Sequence, residues 1–310
     1  MLFPSRMRRP RRLTPGARWF VTVRCARSQF RLTPDIDRTE LFKFFLAKAL
    51  KRCDGVRLHA AVQMSNHFHL VLTDERSQLA DLMEYLDGQL ARALNAVDQV
   101  RGQVLERRYS AIEIVDDEAL ANRIVYTVTN PPAAGLVRSH RDWPGLVAWC
   151  GGQAVTLPCA RFHWKRYRRA FDRAMRLGDE VPSREDFTER VELHLDTDDT
   201  LDLEDVRAAI HQREDRLARD RSGDVLGVET VLATDPLHEP ERTKRGPAPL
   251  CHASTRDAWM AFRDGWRWFV MTYREASAAF RKGRLGTYFP EHTFRPRLPL
   301  RWPVEAAAAA

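Results

Sequence analysis

Along the first half of the chain, alternating apolar and polar positions give way to a helical repeat in a regular order. Residues 18–24 (RWFVTVR) are β-branched and aromatic and predict a strand. Residues 39–52 place Leu41, Phe44, Phe45 and Ala49 on one helical stripe, with Asp37 or Thr39 as the expected cap. After a turn at 53–55 (CDG), two apolar runs at 56–63 (VRLHAAVQ) and 64–72 (MSNHFHLVL) lie only a few polar residues apart, which predicts an antiparallel hairpin. The helical repeat returns over 77–97 through Leu79, Leu82, Met83, Leu86, Leu90 and Leu94, and an extended segment follows near 109–115. Strand, helix, strand, strand, helix, strand is the ferredoxin-like plan. The expected fold class is therefore α+β, an antiparallel sheet with both helices on one face.

Beyond Trp149 the pattern changes. Residues 161–176 (RFHWKRYRRAFDRAMR) are basic, aromatic and amphipathic, and 179–220 are acidic, with a helix expected over 203–219. Residues 234–249 are rich in proline and charge and suggest a linker, and 255–281 predict a long aromatic helix whose Trp259, Phe262, Trp266, Phe269 and Tyr273 suit a core. The expected organisation is an N-terminal arm at 1–17, a domain at 18–150 and a mainly helical extension at 151–310.

Composition narrows the class. The chain has 310 residues, 44% of them hydrophobic, which supports a core of ordinary size. It has no apolar run long enough to span a membrane and no apolar segment after its basic start, so a cytoplasmic, DNA-associated protein is expected. Five scattered cysteines without a C-x-x-C pair argue for reduced thiols. A formal charge of +8 and an isoelectric point near 9.5 point to a polyanionic partner. The arm carries Arg6, Arg8, Arg9, Arg11 and Arg12 without an acidic residue; Arg8, Arg9, Arg11 and Arg12, with Arg24, Arg107 and Arg108, are the candidate phosphate contacts.

Candidate chemistry centres on His67 and His69. Two residues apart on a strand, they share one face while Phe68 and Leu70 take the other, a geometry suited to a metal. The bland alternative is a pair of structural histidines, and periodicity leaves open which face they occupy. Residues 116–137 (DDEALANRIVYTVTNPPAAGLV) predict a helix capped by Asp116 or Asp117 and stopped by Pro131 and Pro132. Tyr126 and Asn130 fall four apart on it, so a phenol and an amide would project together. Cys150, Cys159 and His163 are too sparse for a zinc site, and Tyr85 and Tyr109 lack an amide at the matching offset.

NHFHL at 66–70, the VTVR of the first strand and YTVTNPPAAGLV at 126–137 together resemble the single-tyrosine HUH transposases, specifically the REP-associated branch related to the IS200/IS605 enzymes. The resemblance covers about 18–149. It implies an HUH endonuclease fold in which His67, His69 and Asn130 bind Mg²⁺ or Mn²⁺, with no nucleotide cofactor. Tyr126 matches the nucleophile that cuts single-stranded, hairpin-forming DNA, leaving a 5′-phosphotyrosine link and a free 3′-hydroxyl. The family commonly has proline where Ser65 stands and arginine where Ala133 stands. Related enzymes act as dimers that exchange the tyrosine helix or as monomers, and both remain open here. So do a non-cutting DNA-binding descendant, a relaxase-like or replication-initiator nicking enzyme, and a small-molecule metalloenzyme on the same scaffold.

Overall fold

Five antiparallel strands form the main sheet in the computed structural model, which describes residues 10–106, 108–152, 155–241, 246 and 248–293. The elements of this part are β1 (Ala17–Arg24), α1 (Ile36–Arg52), β2 (Val56–Gln63), β3 (His67–Asp74), α2 (Leu79–Val97), β4 (Ser110–Ile114), α3 (Asp117–Val128), α4 (Asn130–Ala133) and β5 (Val147–Trp149). Strand order is β4-β1-β3-β2-β5, so the first four strands have the ferredoxin-like arrangement and β5 extends it beside β2. The histidine strand β3 lies at the centre.

One face of the sheet carries Phe68, Leu70 and Leu72 of β3 into a core shared with Phe42, Phe45 and Leu46 of α1 and Leu82, Leu86 and Leu90 of α2. The opposite face carries Phe20, Ala60 and Val71 against Leu120, Ile124 and Val128 of α3. Because successive strand residues alternate, His67 and His69 lie on this second face, beneath the tyrosine helix. The second face is thus covered.

Three local expectations need correction. Helix α1 starts at Ile36, before 39, because the Asp35 carboxylate accepts the Arg38 N–H and so takes the capping role expected of Asp37 or Thr39. Strand β5 was not foreseen; three residues are too short for a periodicity to register. The helix carrying Tyr126 ends at Val128, and Asn130 belongs to the separate turn α4. Pro131 and Pro132 have no N–H to offer the carbonyls of Thr127 and Val128, so the helical ladder breaks there. A new turn follows, closed by Gly135 at φ +70°, with Gly135 N–H donating to Pro132 O and Leu136 N–H to Pro131 O.

Residues after 150 contain β6 (Thr156–Phe162), α5 (Trp164–Leu177), β7 (Thr188–His194), α6 (Leu203–Asp220), α7 (Val228–Ala233) and α8 (Arg256–Arg281). Strands β6 and β7 make a two-stranded sheet around α5, and Leu157, Val191 and Leu193 pack against the α1 side of the core. Helix α6 lies on the other side, with Val206 and Ile210 in the α3 core. Of the α8 residues expected in a core, Phe269 is buried, Phe262, Trp266 and Tyr273 are half-buried, and Trp259 is exposed. Thr234 to Glu241 contain turns but no helix or strand.

Asp116 ties α3 to the start of α8. Its carboxylate accepts the Ala119 N–H as N-cap at 2.8 Å and the Ser254 N–H at 2.8 Å. Burial opposes the charge, but these N–H donors and the Ser254 hydroxyl outweigh it and hold the carboxyl below its ordinary range. Asp116→Ala is expected to cost about 1 kcal/mol in urea denaturation at neutral pH. A lowered folded pKa stabilises above the unfolded value of about 4 and loses its effect as pH falls through the folded value. The gap between wild type and variant should therefore close in acid; a gap that stays constant with pH would assign it to something other than the charge.

Candidate active site

Antiparallel register places Thr22 of β1 opposite His69 and Arg24 opposite His67. The pairing has a direct consequence. His69 Nδ1 and Thr22 Oγ1 are hydrogen bonded at 2.8 Å, and His67 Nδ1 is 2.7 Å from Asn66 Oδ1. An amide oxygen only accepts, so His67 Nδ1–H donates and Nε2 is the lone-pair nitrogen of the neutral ring. In the tautomer of His69 that donates from Nδ1, Nε2 is likewise the lone-pair nitrogen. The two rings stand 4.7 Å apart by centroid. His69 is 3% exposed; burial, then His67 and Arg24, push its pKa well below the ordinary value, so the ring is neutral near pH 7.

Tyr126 meets this pair within one chain. Its ring lies edge-on to His69 at 5.7 Å and edge-on to Phe20 at 5.7 Å, while Phe20 itself stacks on His69 at 4.8 Å. Phe20 is therefore the apolar wedge that fixes phenol and imidazole relative to each other. Asn130 is 8% exposed and begins the turn α4. His67 opens into a 230 Å³ cleft that also reaches Ala134 at the end of α4.

Among the described residues, no group of three His, Cys, Asp or Glu is placed to share a metal. The fold does bring two imidazoles together, and Asn130 lies in the turn just after the tyrosine helix. That set suits a divalent cation with open positions rather than a closed structural zinc centre. Cys150 and Cys159 lie in separate cores on opposite faces of the sheet, which disposes of a shared site there.

Positive charge converges on the phenol from two helices. The guanidinium carbon of Arg123, one turn before Tyr126 on α3, is 5.0 Å from the tyrosine ring centroid, and that of Arg213 on α6 is 5.8 Å away. Burial lowers the Arg123 pKa; Tyr126 pulls it back and Arg213 lowers it further. His252, just before α8, stands edge-on to Phe20 at 5.4 Å, with burial and then Arg123 lowering its pKa to about 4.

The predicted phosphate contacts are spread out. Arg24 ends β1 beside the histidines. Arg11 covers the Tyr109 ring at 3.6 Å and donates to the Tyr109 carbonyl, and Arg12 lies 5.9 Å from the Phe269 ring centroid. Arg108 is exposed near Tyr109, while Arg8, Arg9 and Arg107 lie outside the described residues. The Tyr109 hydroxyl is buried and unpartnered, and burial raises its pKa, so that phenol is poorly suited to attack anything.

Sequence reasoning missed Phe20, Thr22, Arg123, Arg213 and His252. Arg123 was accessible in principle, three residues before Tyr126 on a recognised helix. Thr22 needed the strand register, and Arg213 and His252 come from segments whose position only the tertiary fold supplies.

No protein-family model matches the chain, and no curated protein matches it. Among solved structures, a REP-associated tyrosine transposase bound to a REP hairpin is 16% identical with a TM-score of 0.36, over 46% of this chain and 81% of that one. A candidate transposase from Deinococcus radiodurans is 17% identical with a TM-score of 0.28, over 40% of this chain and 97% of that one. The α+β, ferredoxin-like class of the domain rests on its own strand order.

Proposed function

We propose that this chain cuts and rejoins single-stranded DNA, with Tyr126 as the nucleophile and hairpin-forming strands as substrate. The observation that carries the reading is the edge contact of Tyr126 with His69 inside one chain. A formal charge of +8 supports a nucleic-acid partner.

In this reaction the Tyr126 hydroxyl oxygen forms a bond to phosphorus and the bond to the 3′-oxygen breaks. The phenol gives up its proton, and the departing 3′-oxygen takes one up. The product is a 5′-phosphotyrosine and a free 3′-hydroxyl. Because the phosphoester energy is kept, a 3′-hydroxyl of another strand can reverse the step without a nucleotide cofactor. A free phenol titrates near about 10, so attack at neutral pH needs positive charge beside it. Arg123 and Arg213 stand next to the ring. Mg²⁺ or Mn²⁺ would be held by the lone pairs of His67 and His69, with Asn130 as the further ligand, and would draw charge from the attacked phosphate. Phe20 and Thr22 hold His69 in place. Since one chain supplies phenol and histidines together, a monomer suffices for cleavage.

The test is a labelled single-stranded hairpin panel incubated with protein and Mg²⁺ or Mn²⁺, then resolved on a denaturing gel. Wild type should form a covalent protein–DNA adduct that is absent with Tyr126→Phe and with EDTA. Binding without an adduct on every strand would instead favour a DNA-binding protein that does not cut.

A further inference from the structure

We propose that Arg123 and Arg213 form a two-guanidinium cradle for a DNA phosphate beside Tyr126, so that α6, outside the ferredoxin-like domain, completes the site. The phosphate's place in the reaction rests on the Tyr126 reading above; the cradle itself is argued from geometry.

Helix periodicity builds it. On α3, Arg123 and Tyr126 are three residues apart and share a face. On α6, Val206, Ile210 and Arg213 fall at i, i+4 and i+7, so the stripe that buries Val206 and Ile210 against α3 continues into Arg213. The packing of α6 thus delivers a second cation to the same phenol.

Convergence on one ring without a carboxylate between them sets these two arginines apart from the paired ones. Arg18 pairs with Asp117 and Asp198, Arg138 with Asp224, and Arg207 with Glu204. Arg123 and Arg213 have no carboxylate partner among the described residues, and the buried Nε of Arg213 has no hydrogen-bond partner. Two cations converging on one ring repel each other, and cation–π attraction to the ring face only partly offsets that cost. An anion between them removes the repulsion. Planar guanidinium forks match two phosphate oxygens, and the phosphodiester of a single strand is the anion that also presents a neighbouring base to an aromatic surface.

The first experiment measures affinity for a fluorescent single-stranded oligonucleotide against salt concentration in EDTA, on the Tyr126→Phe background so that no chemistry intervenes. Arg213→Gln and Arg123→Gln should each weaken binding and reduce the slope of log affinity on log salt by about 0.7. Arg213→Lys should keep the slope. In the second, single-turnover adduct formation by otherwise wild-type protein at saturating DNA should slow about a hundredfold in Arg213→Gln. Unchanged salt slope and adduct rate in both glutamine variants, with thermal midpoints at the wild-type value, would reduce the arginines to packing on the ring and overturn the proposal. If wild-type protein forms no adduct at all, the nucleophile reading fails, and the salt slopes still decide the cradle.

Discussion

His67→Ala and His69→Ala are each expected to slow divalent-metal-dependent strand cleavage by about a hundredfold or more. Losing even an outer partner of a ligating histidine costs about 10–100-fold in such sites, and losing the ligand cannot cost less. The effect should appear as a changed response to Mn²⁺, measured by initial cleavage rates over a metal titration. DNA affinity in EDTA should stay near wild type, because phosphate binding depends on the cationic side chains and not on these two imidazoles. His67→Ala is the cleaner of the two, being half-buried at the strand's start. His69 also carries the Thr22 hydrogen bond and the Phe20 stack, so its loss should lower stability as well. Variants that respond to metal as wild type does would remove these histidines from the reaction.

Phe68→Ala is expected to be the most damaging single change to the fold, at about 3–5 kcal/mol in chemical denaturation. Phe68 has no solvent exposure, lies on the central strand and packs at 4.9 Å by centroid against Phe42 of α1. Truncation leaves a void lined by α1 and β3 side chains that a central strand cannot collapse to fill. Position adds a functional consequence. Phe68 lies between His67 and His69, so the residue that anchors β3 to one core also sets the backbone from which both imidazoles leave on the other face. A loss below about 1 kcal/mol would mean that α1 is not seated on β3 as described.

The βαββαβ order could be read from the sequence because each element spans enough residues for its period to repeat. The histidine hairpin, the α2 stripe and the Asp116 cap follow from local rules, and the structure reproduces them. Its departures also have local causes. Asp35 outcompeted the expected caps by facing the Arg38 N–H. Two prolines split the Tyr126 helix from the turn bearing Asn130, where an uninterrupted helix had been expected. Which face of the sheet α1 and α2 cover, and so which face the histidines take, was undecidable from periodicity, since alternation along β3 does not say what packs on either side. That face is fixed by long-range packing of α3 and α6, as is the meeting of Arg213 with Tyr126. The stripe of Val206 and Ile210 continues into Arg213, but which element that stripe meets cannot be read from 203–220.

The most direct test of the central claim is to trap the protein on a single-stranded hairpin with Mn²⁺, digest it and locate the nucleotide-bearing peptide by mass spectrometry. The mechanism predicts one modified residue, Tyr126, joined through a 5′-phosphate, with the released strand ending in a 3′-hydroxyl. A link at Tyr109 or any other residue, or cleavage that leaves no covalent peptide, would contradict it.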